Sequence, residues 1–342
     1  MNYQNFLKDI KENIMYYLPE EFVGSNVTLS QVTKNNGLKL DALTILKPGH
    51  EIAPTIYLNN FYKELNEGKE MDDILGEISD IRVEHDQAPE AAENLINNLS
   101  TMKDKIIFRV VGYEANKETF KNIPHTVKND MAFTYRLVVQ KGDDGVASSV
   151  INNDLMKHLS LDPETLSILA MENTPKLFPA EFMSMNDVMR SMMGEEEWEE
   201  MSMFMDMEQG PKLYVLSNDS KVNGAASLFY PGQMDVIKKQ LNSDFYVLPS
   251  SVHEVIIVPK TEEITSYKDL ETMVREVNST GVDPEEVLTG NVYFYDGNEL
   301  VLAKDYENQI DAAFNHSSSA VERMIKDRFS SLDVDTDPGY EM

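Results

Sequence analysis

The sequence predicts an α+β protein with antiparallel or mixed β-sheets, helices packed on them, and two associated lobes. Segments with the apolar spacing of helices alternate with short β-type runs along the chain. Several runs are joined by turn sequences at Asn35-Asn36-Gly37, Gly142-Asp143-Asp144-Gly145 and Asp296-Gly297. Because tight turns join antiparallel strands and parallel strands need crossover helices, a doubly wound parallel sheet is the weaker alternative.

The N-terminal lobe, residues 1–104, is predicted to open with a helix. Apolar residues recur at three- and four-residue steps from Tyr3 to Leu18, and the helix should end before Pro19. The other predicted elements are strands at Val27–Val32, Leu38–Leu46 and Ile52–Leu58, and helices starting at Asn59 and spanning Met71–Ile81 and Ala92–Met102.

The C-terminal lobe, residues 105–329, is predicted to mix strands and helices, and residues 330–342 lack apolar periodicity and should form a disordered tail. The predicted strands are Ile106–Val111, Ala132–Val139, Val146–Ile151, Leu213–Leu216, Ala225–Tyr230 and a pair within Phe245–Val258. The predicted helices are Glu118–Lys121, Pro163–Met171, Gln233–Leu241 and Tyr267–Val277, followed by a hairpin within Val292–Ala303.

A methionine-rich acidic segment, residues 183–208, stands apart within this lobe. One interpretation is a mobile flap with a soft, adaptable binding surface. The other is a helical hairpin whose methionines fill the core, and helical spacing favours it for Met185, Met189 and Met192. The part after Gly194 is open to either interpretation.

Composition narrows the possible partners. The chain carries 59 acidic and 30 basic residues, a formal charge of −29. This charge disfavours direct contact with nucleic acid or with an anionic membrane, since both are bound mainly through Lys and Arg. The acidity indicates a solubilising surface, with mimicry of nucleic acid as the sharper alternative. A protein partner is therefore the expectation, and oligomeric state is not indicated.

The compartment is predicted from absences in the sequence. There is no cysteine, which excludes disulfides and cysteine-ligated zinc. Charged residues interrupt the N-terminal helix, unlike the apolar core of a signal peptide. No run of about eighteen apolar residues, the length of a membrane span, occurs. We therefore expect a cytoplasmic protein.

One weak candidate site stands out, where Ser250, Ser251, His253 and Glu254 crowd together between two β-type runs. Alternation along a straight strand places Ser251 and His253 on one face and Ser250 and Glu254 on the other. Such neighbours cannot form a catalytic triad without a bulge or bend. His125 could add a second cluster, although a packed or turn-capping histidine is the favoured interpretation there.

Known cofactor motifs are not supported. The HEVII sequence at residues 253–257 begins like a zinc-protease motif, but Ile257 stands where the second histidine ligand is needed. Asp333, Asp335 and Asp337 imitate the start of a calcium loop, but Pro338 replaces its glycine. No glycine-rich phosphate loop occurs. No metal and no cofactor are therefore expected.

Five segments carry a family resemblance: LDALTI (40–45), PTIYLNNFY (54–62), Ile-Pro-His (123–125), GAASLFYPG (224–232) and LPSSVHEVIIVP (248–259). The chain resembles an uncharacterised domain-of-unknown-function family of anaerobic Gram-positive bacteria over roughly Leu7 to Arg328, and the methionine-rich segment departs from the family pattern. The resemblance implies a bacterial, intracellular protein linked to mobile elements, and it brings no activity, substrate or catalytic residue.

Three functional hypotheses follow. The favoured one is a non-enzymatic binding or accessory protein, because the chain is acidic and methionine-rich and shows no complete catalytic set. The first alternative is a hydrolase-like enzyme that uses His253 with Ser250, Ser251 or Glu254. The second alternative is an acidic mimic of nucleic acid, whose capture of a basic partner should weaken steeply with salt.

Overall fold

The computed structural model describes residues 1–50, 53–86, 99–142, 145–204, 212–249, 251–261 and 266–312. Over these ranges the chain forms three β-sheets with helices packed against them, which confirms the α+β class. Every strand pair of the three sheets is antiparallel. Within the described ranges, no helix is long and apolar enough to cross a membrane.

The N-terminal part is a three-stranded sheet covered by helices, with the strand order β1-β2-β3. Its apolar core contains Phe6, Ile10, Leu43 and Ile78, and its members all precede residue 82. The lobe boundary at residue 104 stays a prediction. The elements are α1 (Tyr3–Asn13), β1 (Asn26–Thr33), β2 (Lys39–Leu46), β3 (Thr55–Tyr57), α2 (Asn59–Asn66) and α3 (Met71–Glu84).

The second sheet is built around one long strand, β6. One edge of β6 pairs with β4, and the other pairs first with β5 and then with β7. Two helices follow this sheet in the chain. The elements are β4 (Ile106–Gly112), β5 (His125–Lys128), β6 (Met131–Gly142), β7 (Gly145–Val150), α4 (Asn153–His158) and α5 (Pro163–Leu177).

The third sheet has six strands in the order β13-β12-β10-β11-β9-β8. The strands are β8 (Ala180–Ser184), β9 (Tyr214–Asn218), β10 (Phe245–Leu248), β11 (Val255–Pro259), β12 (Tyr293–Tyr295) and β13 (Leu300–Leu302). The helices of this part are α6 (Met185–Met193), α7 (Glu195–Phe204), α8 (Gln233–Leu241), α9 (Tyr267–Thr280) and α10 (residues 303–312). Its inner face shares the main apolar core with the second sheet, through Phe108, Tyr135, Phe245 and Tyr293 among others.

The turn between β1 and β2 ties the first sheet to the rest of the molecule. Asn36 has a left-handed backbone with φ of 58°, which asparagine tolerates better than most residues. Its Nδ2 donates to the carbonyl oxygens of Pro284 at 2.9 Å and Val287 at 2.7 Å. Its backbone N–H donates to Asn116 Oδ1 at 2.9 Å, and Asn116 Nδ2 donates back to Asn36 Oδ1 at 3.1 Å. We call residues 32–37 the hairpin tip.

Three sequence predictions are corrected. The first helix ends at Asn13, and a 3-10 turn at Ile14–Tyr16 continues it. The predicted strand Ala225–Tyr230 is a 3-10 helix, Gly224–Phe229. A Cβ atom at Gly224 would lie 2.4 Å from the carbonyl oxygen of His253, so this segment is packed tightly under the following loop. The second strand of the predicted pair within Phe245–Val258 begins only at Val255, so His253 lies before it and not within it.

The methionine-rich segment forms two consecutive helices, α6 and α7, around Gly194. No residue of α6 is buried, and the side chain of Met192 is 81% exposed. The prediction that Met185, Met189 and Met192 fill the core is therefore wrong. Residues 205–208, most of the predicted helix Ala92–Met102 and the predicted tail at 330–342 lie outside the described ranges.

The hairpin tip gives a stability prediction. Asn36→Gly should lower the free energy of unfolding by about 2 kcal/mol, since it removes several side-chain hydrogen bonds worth ~1 kcal/mol each. Asn36→Ala should cost about 1 kcal/mol more, because alanine is strained in the left-handed region. Urea denaturation of the two variants measures both terms. Equal stabilities of wild type and Asn36→Gly would contradict the assigned role of the side chain.

Candidate functional site

Two arginines lie side by side on the face of the second sheet that points away from the main core. In β4, Phe108 and Val110 enter the core, so Arg109 points to the opposite face. In β6, Thr134 and Arg136 lie on that same face, and Arg109 is the direct cross-strand partner of Thr134. Cross-strand and diagonal neighbours are within side-chain reach, so the two guanidinium groups share one local environment.

Apolar groups flank the arginines at both ends. On one side, Ile107 and Val138 pack against Phe178. On the other side, Val111 and Ala132 pack with Phe120. The two guanidinium groups are therefore partly removed from water between two apolar clusters. In such surroundings an unpaired charge destabilises the fold.

The hydrogen bonds of the two arginines differ. Arg136 donates from Nε to the Ser148 hydroxyl at 2.8 Å and from Nη2 to the Ser148 carbonyl at 2.7 Å. Arg109 makes no side-chain hydrogen bond and no ion pair to any described residue, and its Nε is buried without an acceptor. The hydroxyl of Thr134 is likewise buried and unpaired among the described residues. This surface therefore offers donors that lack acceptors.

Burial changes the acid–base behaviour of both groups. Burial lowers the pKa of the Arg109 guanidinium to about 10, and the positive charge of Arg136 adds to the shift. Burial also lowers the pKa of Arg136. No described carboxylate forms an ion pair with either group, although the chain has nearly twice as many acids as bases. Both arginines stay charged at neutral pH.

These arginines form the floor of a cleft of about 380 Å³. Its walls come from the hairpin tip, the loop between β4 and β5, the end of β7, and the loops after β9, after β10 and before β12. The lining residues besides the two arginines are Val32, Thr33, Lys34, Asn35, Asn116, Thr119, Ile123, Thr134, Val150, Asn223, Val252, His253, Glu285 and Glu286.

His253, the central candidate from the sequence, lines this cleft but is held by two partners. Its Nδ1 lies 3.2 Å from the backbone N–H of Asn223, which can only donate. The proton of the neutral ring is therefore assigned to Nε2, which lies 3.2 Å from Glu286 Oε1. Neither nitrogen has a free lone pair, so the ring cannot act as a general base without breaking a hydrogen bond.

Among the described residues, the neighbouring candidates do not complete a catalytic set with His253. The Ser251 hydroxyl accepts a hydrogen bond from the His253 backbone N–H at 2.9 Å, and the residue is 4% exposed. Among the described residues, no hydrogen bond joins this hydroxyl to the imidazole. Glu254 is half-buried and does not line the cleft. Ser250 lies outside the described ranges.

His125 is a packed histidine at the start of β5. Its ring stacks on Phe120 with the centroids 4.5 Å apart, and its Nδ1 lies 3.2 Å from the carbonyl oxygen of Ile123. The ring is not part of the cleft lining, whereas His253 is. Within the described ranges, no three His, Asp or Glu side chains are grouped as ligands for a metal ion.

Reasoning from the sequence missed the arginine pair. The signal was present as a single arginine inside each of two apolar strands, IIFRVVG at 106–112 and FTYRLVV at 133–139. A charged residue within an otherwise apolar strand indicates that one face of the strand is not packed entirely in the apolar core. That the two strands are neighbours could not be derived from either segment alone.

Comparison with other proteins identifies the family but no activity. No curated protein and no solved structure matches the chain. A family model described as a family of unknown function (DUF5688) matches residues 3–297, which include every residue of the cleft. The resemblance to an uncharacterised family is thereby confirmed, and the chain belongs to the DUF5688 family.

Proposed function

We propose that this protein is a non-enzymatic binding protein whose cleft holds a small ligand through an anionic group such as a phosphate or a carboxylate. The observation that carries the proposal is Arg109, a charged residue on a cleft floor that has no partner among the described residues. Arg136 and the unpaired Thr134 hydroxyl stand beside it. A guanidinium fork is suited to bidentate contact with a carboxylate or phosphate.

The unpaired charge of Arg109 lowers the stability of the fold, and no contact among the described residues compensates for it. A partly buried charge without a partner destabilises a fold, and an apolar residue of similar volume is often more stable there. Departures of this kind are expected at functional sites, where the unmet contacts are completed by a ligand. The cleft volume of about 380 Å³ falls in the usual range for a small-molecule site.

The geometry gives the enzyme alternative less support. A hydrolase that uses His253 would need a nitrogen free to accept a proton, and both ring nitrogens are engaged by Asn223 and Glu286. A protein partner and mimicry of nucleic acid both stay predictions, and the cleft adds no argument for either. Their test remains the salt dependence of partner capture.

Ligand binding should depend on Arg109. With ethyl phosphate as the probe in isothermal titration calorimetry at constant ionic strength, Arg109→Gln should weaken binding at least about 10-fold, because one charge-assisted contact is lost. Arg275→Gln removes the same charge from the exposed face of α9 and serves as the matched control, with affinity unchanged. Equal affinities for wild type and Arg109→Gln would refute the proposal.

The unliganded protein should gain stability when the unpaired charge is removed. Arg109→Met should raise the free energy of unfolding by about 1 kcal/mol at pH 7, measured by urea denaturation. Arg136→Met is the matched control and should show a smaller gain or a loss, because it breaks two bonds to Ser148.

The pH dependence has a defined sign. Since the folded pKa of Arg109 is lowered to about 10, the unfolded chain binds the proton more tightly. The loss of stability caused by the buried charge is therefore fully present at neutral pH. It decreases only as the pH rises above the pKa of Arg109 in the folded protein. Between pH 7 and pH 9 the difference in the free energy of unfolding between Arg109→Met and wild type should stay constant. An advantage that disappears across this range would show that another group is responsible.

A further inference from the structure

The cleft that holds the arginines also has an acidic wall. Glu285 and Glu286 both line it, and they follow one another in the loop between α9 and β12. Glu286 Oε1 lies 3.2 Å from His253 Nε2. The Oε2 atom of Glu285 is buried and has no hydrogen-bond partner among the described residues. One cleft therefore contains an unpaired cation and an unpaired carboxylate oxygen.

The two charges do not satisfy each other. Among the described residues no ion pair joins Glu285 or Glu286 to Arg109 or Arg136, and no carboxylate contributes to the lowered pKa of Arg109. If Glu285 lay directly against Arg109, its charge would favour the protonated guanidinium. The acidic wall and the cationic floor are therefore not in ion-pair contact with each other.

The acidic wall is held in place by the backbone. The carbonyl of Glu285 accepts from Asn35 Nδ2 at 2.7 Å, and the carbonyl of Glu286 accepts from the Val252 N–H at 2.8 Å. These bonds connect the wall to the hairpin tip and to the loop before β11. The carboxylates are thus on a fixed support and not on a free loop that could swing to the arginines.

A ligand with only negative charge is attracted by the arginines of the floor and repelled by the glutamates of the wall. A ligand that also carries an ammonium group is attracted by both the floor and the wall. We infer that the cleft selects a dipolar ligand, in which a phosphate or carboxylate is joined through a short chain to an ammonium group. The inference rests on the proposed function and adds Glu285 as the residue that determines specificity.

Two matched series of probes test the inference. One is a set of ω-aminoalkyl phosphates with chains of about two to six carbons, and the other is the n-alkyl phosphates of equal length. Binding is measured by isothermal titration calorimetry at constant ionic strength. For at least one chain length, the ammonium compound should bind about 10-fold more tightly than its alkyl counterpart, since it adds a charge-assisted hydrogen bond. The optimal length reports the span between floor and wall.

Variants locate the effect. Glu285→Gln has the same shape and should abolish the preference for the ammonium group, while the affinity for alkyl phosphates should stay the same or increase because a repelling charge is removed. Glu299→Gln is the matched control, because it removes the same charge at an exposed position outside the cleft, and the preference should persist. Arg109→Gln should weaken both series.

The outcomes separate the two proposals. If alkyl phosphates bind as tightly as aminoalkyl phosphates at every length, the dipolar inference is overturned and the anion-binding function stands. If neither series binds to the wild-type protein, the proposed function fails and the inference fails with it. If Glu285→Gln and Glu299→Gln reduce the preference for the ammonium group equally, the preference is caused by the net charge of the protein. This outcome also overturns the assigned role of Glu285. The comparison within the wild-type protein does not depend on how any variant folds.

Discussion

The pairing of β4 with β6 is the constraint on which the rest of the molecule depends. Its register runs without a break from Ile106 opposite Leu137 to Gly112 opposite Met131. This register sends alternate side chains of both strands into the main core, and the same register places both arginines on the other face. A slip of one residue would exchange the two faces and bury the guanidinium groups among aromatic rings. The sheet therefore cannot form its core without also forming the floor of the cleft.

The overall charge of the chain makes this floor a local exception. With a net charge of −29, the protein repels anions at long range, so attraction to the floor acts only at contact distance. The two apolar clusters beside the floor strengthen these contacts, because they reduce the local screening by water. The acidic surface and the cationic floor thus act in opposite directions on an anion.

Local chemistry determined what the sequence could predict. The turn at Asn35-Asn36-Gly37 and the helix Gln233–Leu241 were predictable because turn residues and apolar spacing act over a few positions. The segment Gly224–Phe229 was predicted wrongly, since close packing of its small residues under the next loop overrode their apolar pattern. Of the site, the sequence pointed to His253 as a candidate residue, and the structure places it in the cleft lining. Arg109 was missed, because its meaning depends on which strand lies beside it.

The bond between Asn36 and Val287 joins positions 251 residues apart in the chain. During synthesis the three-stranded sheet can fold early, but its hairpin tip lacks its partners at Pro284 and Val287 until that segment has left the ribosome. The cleft is therefore among the last features to be completed. A molecule bound there stabilises only finished chains, so its concentration would set how many newly made copies escape proteolysis.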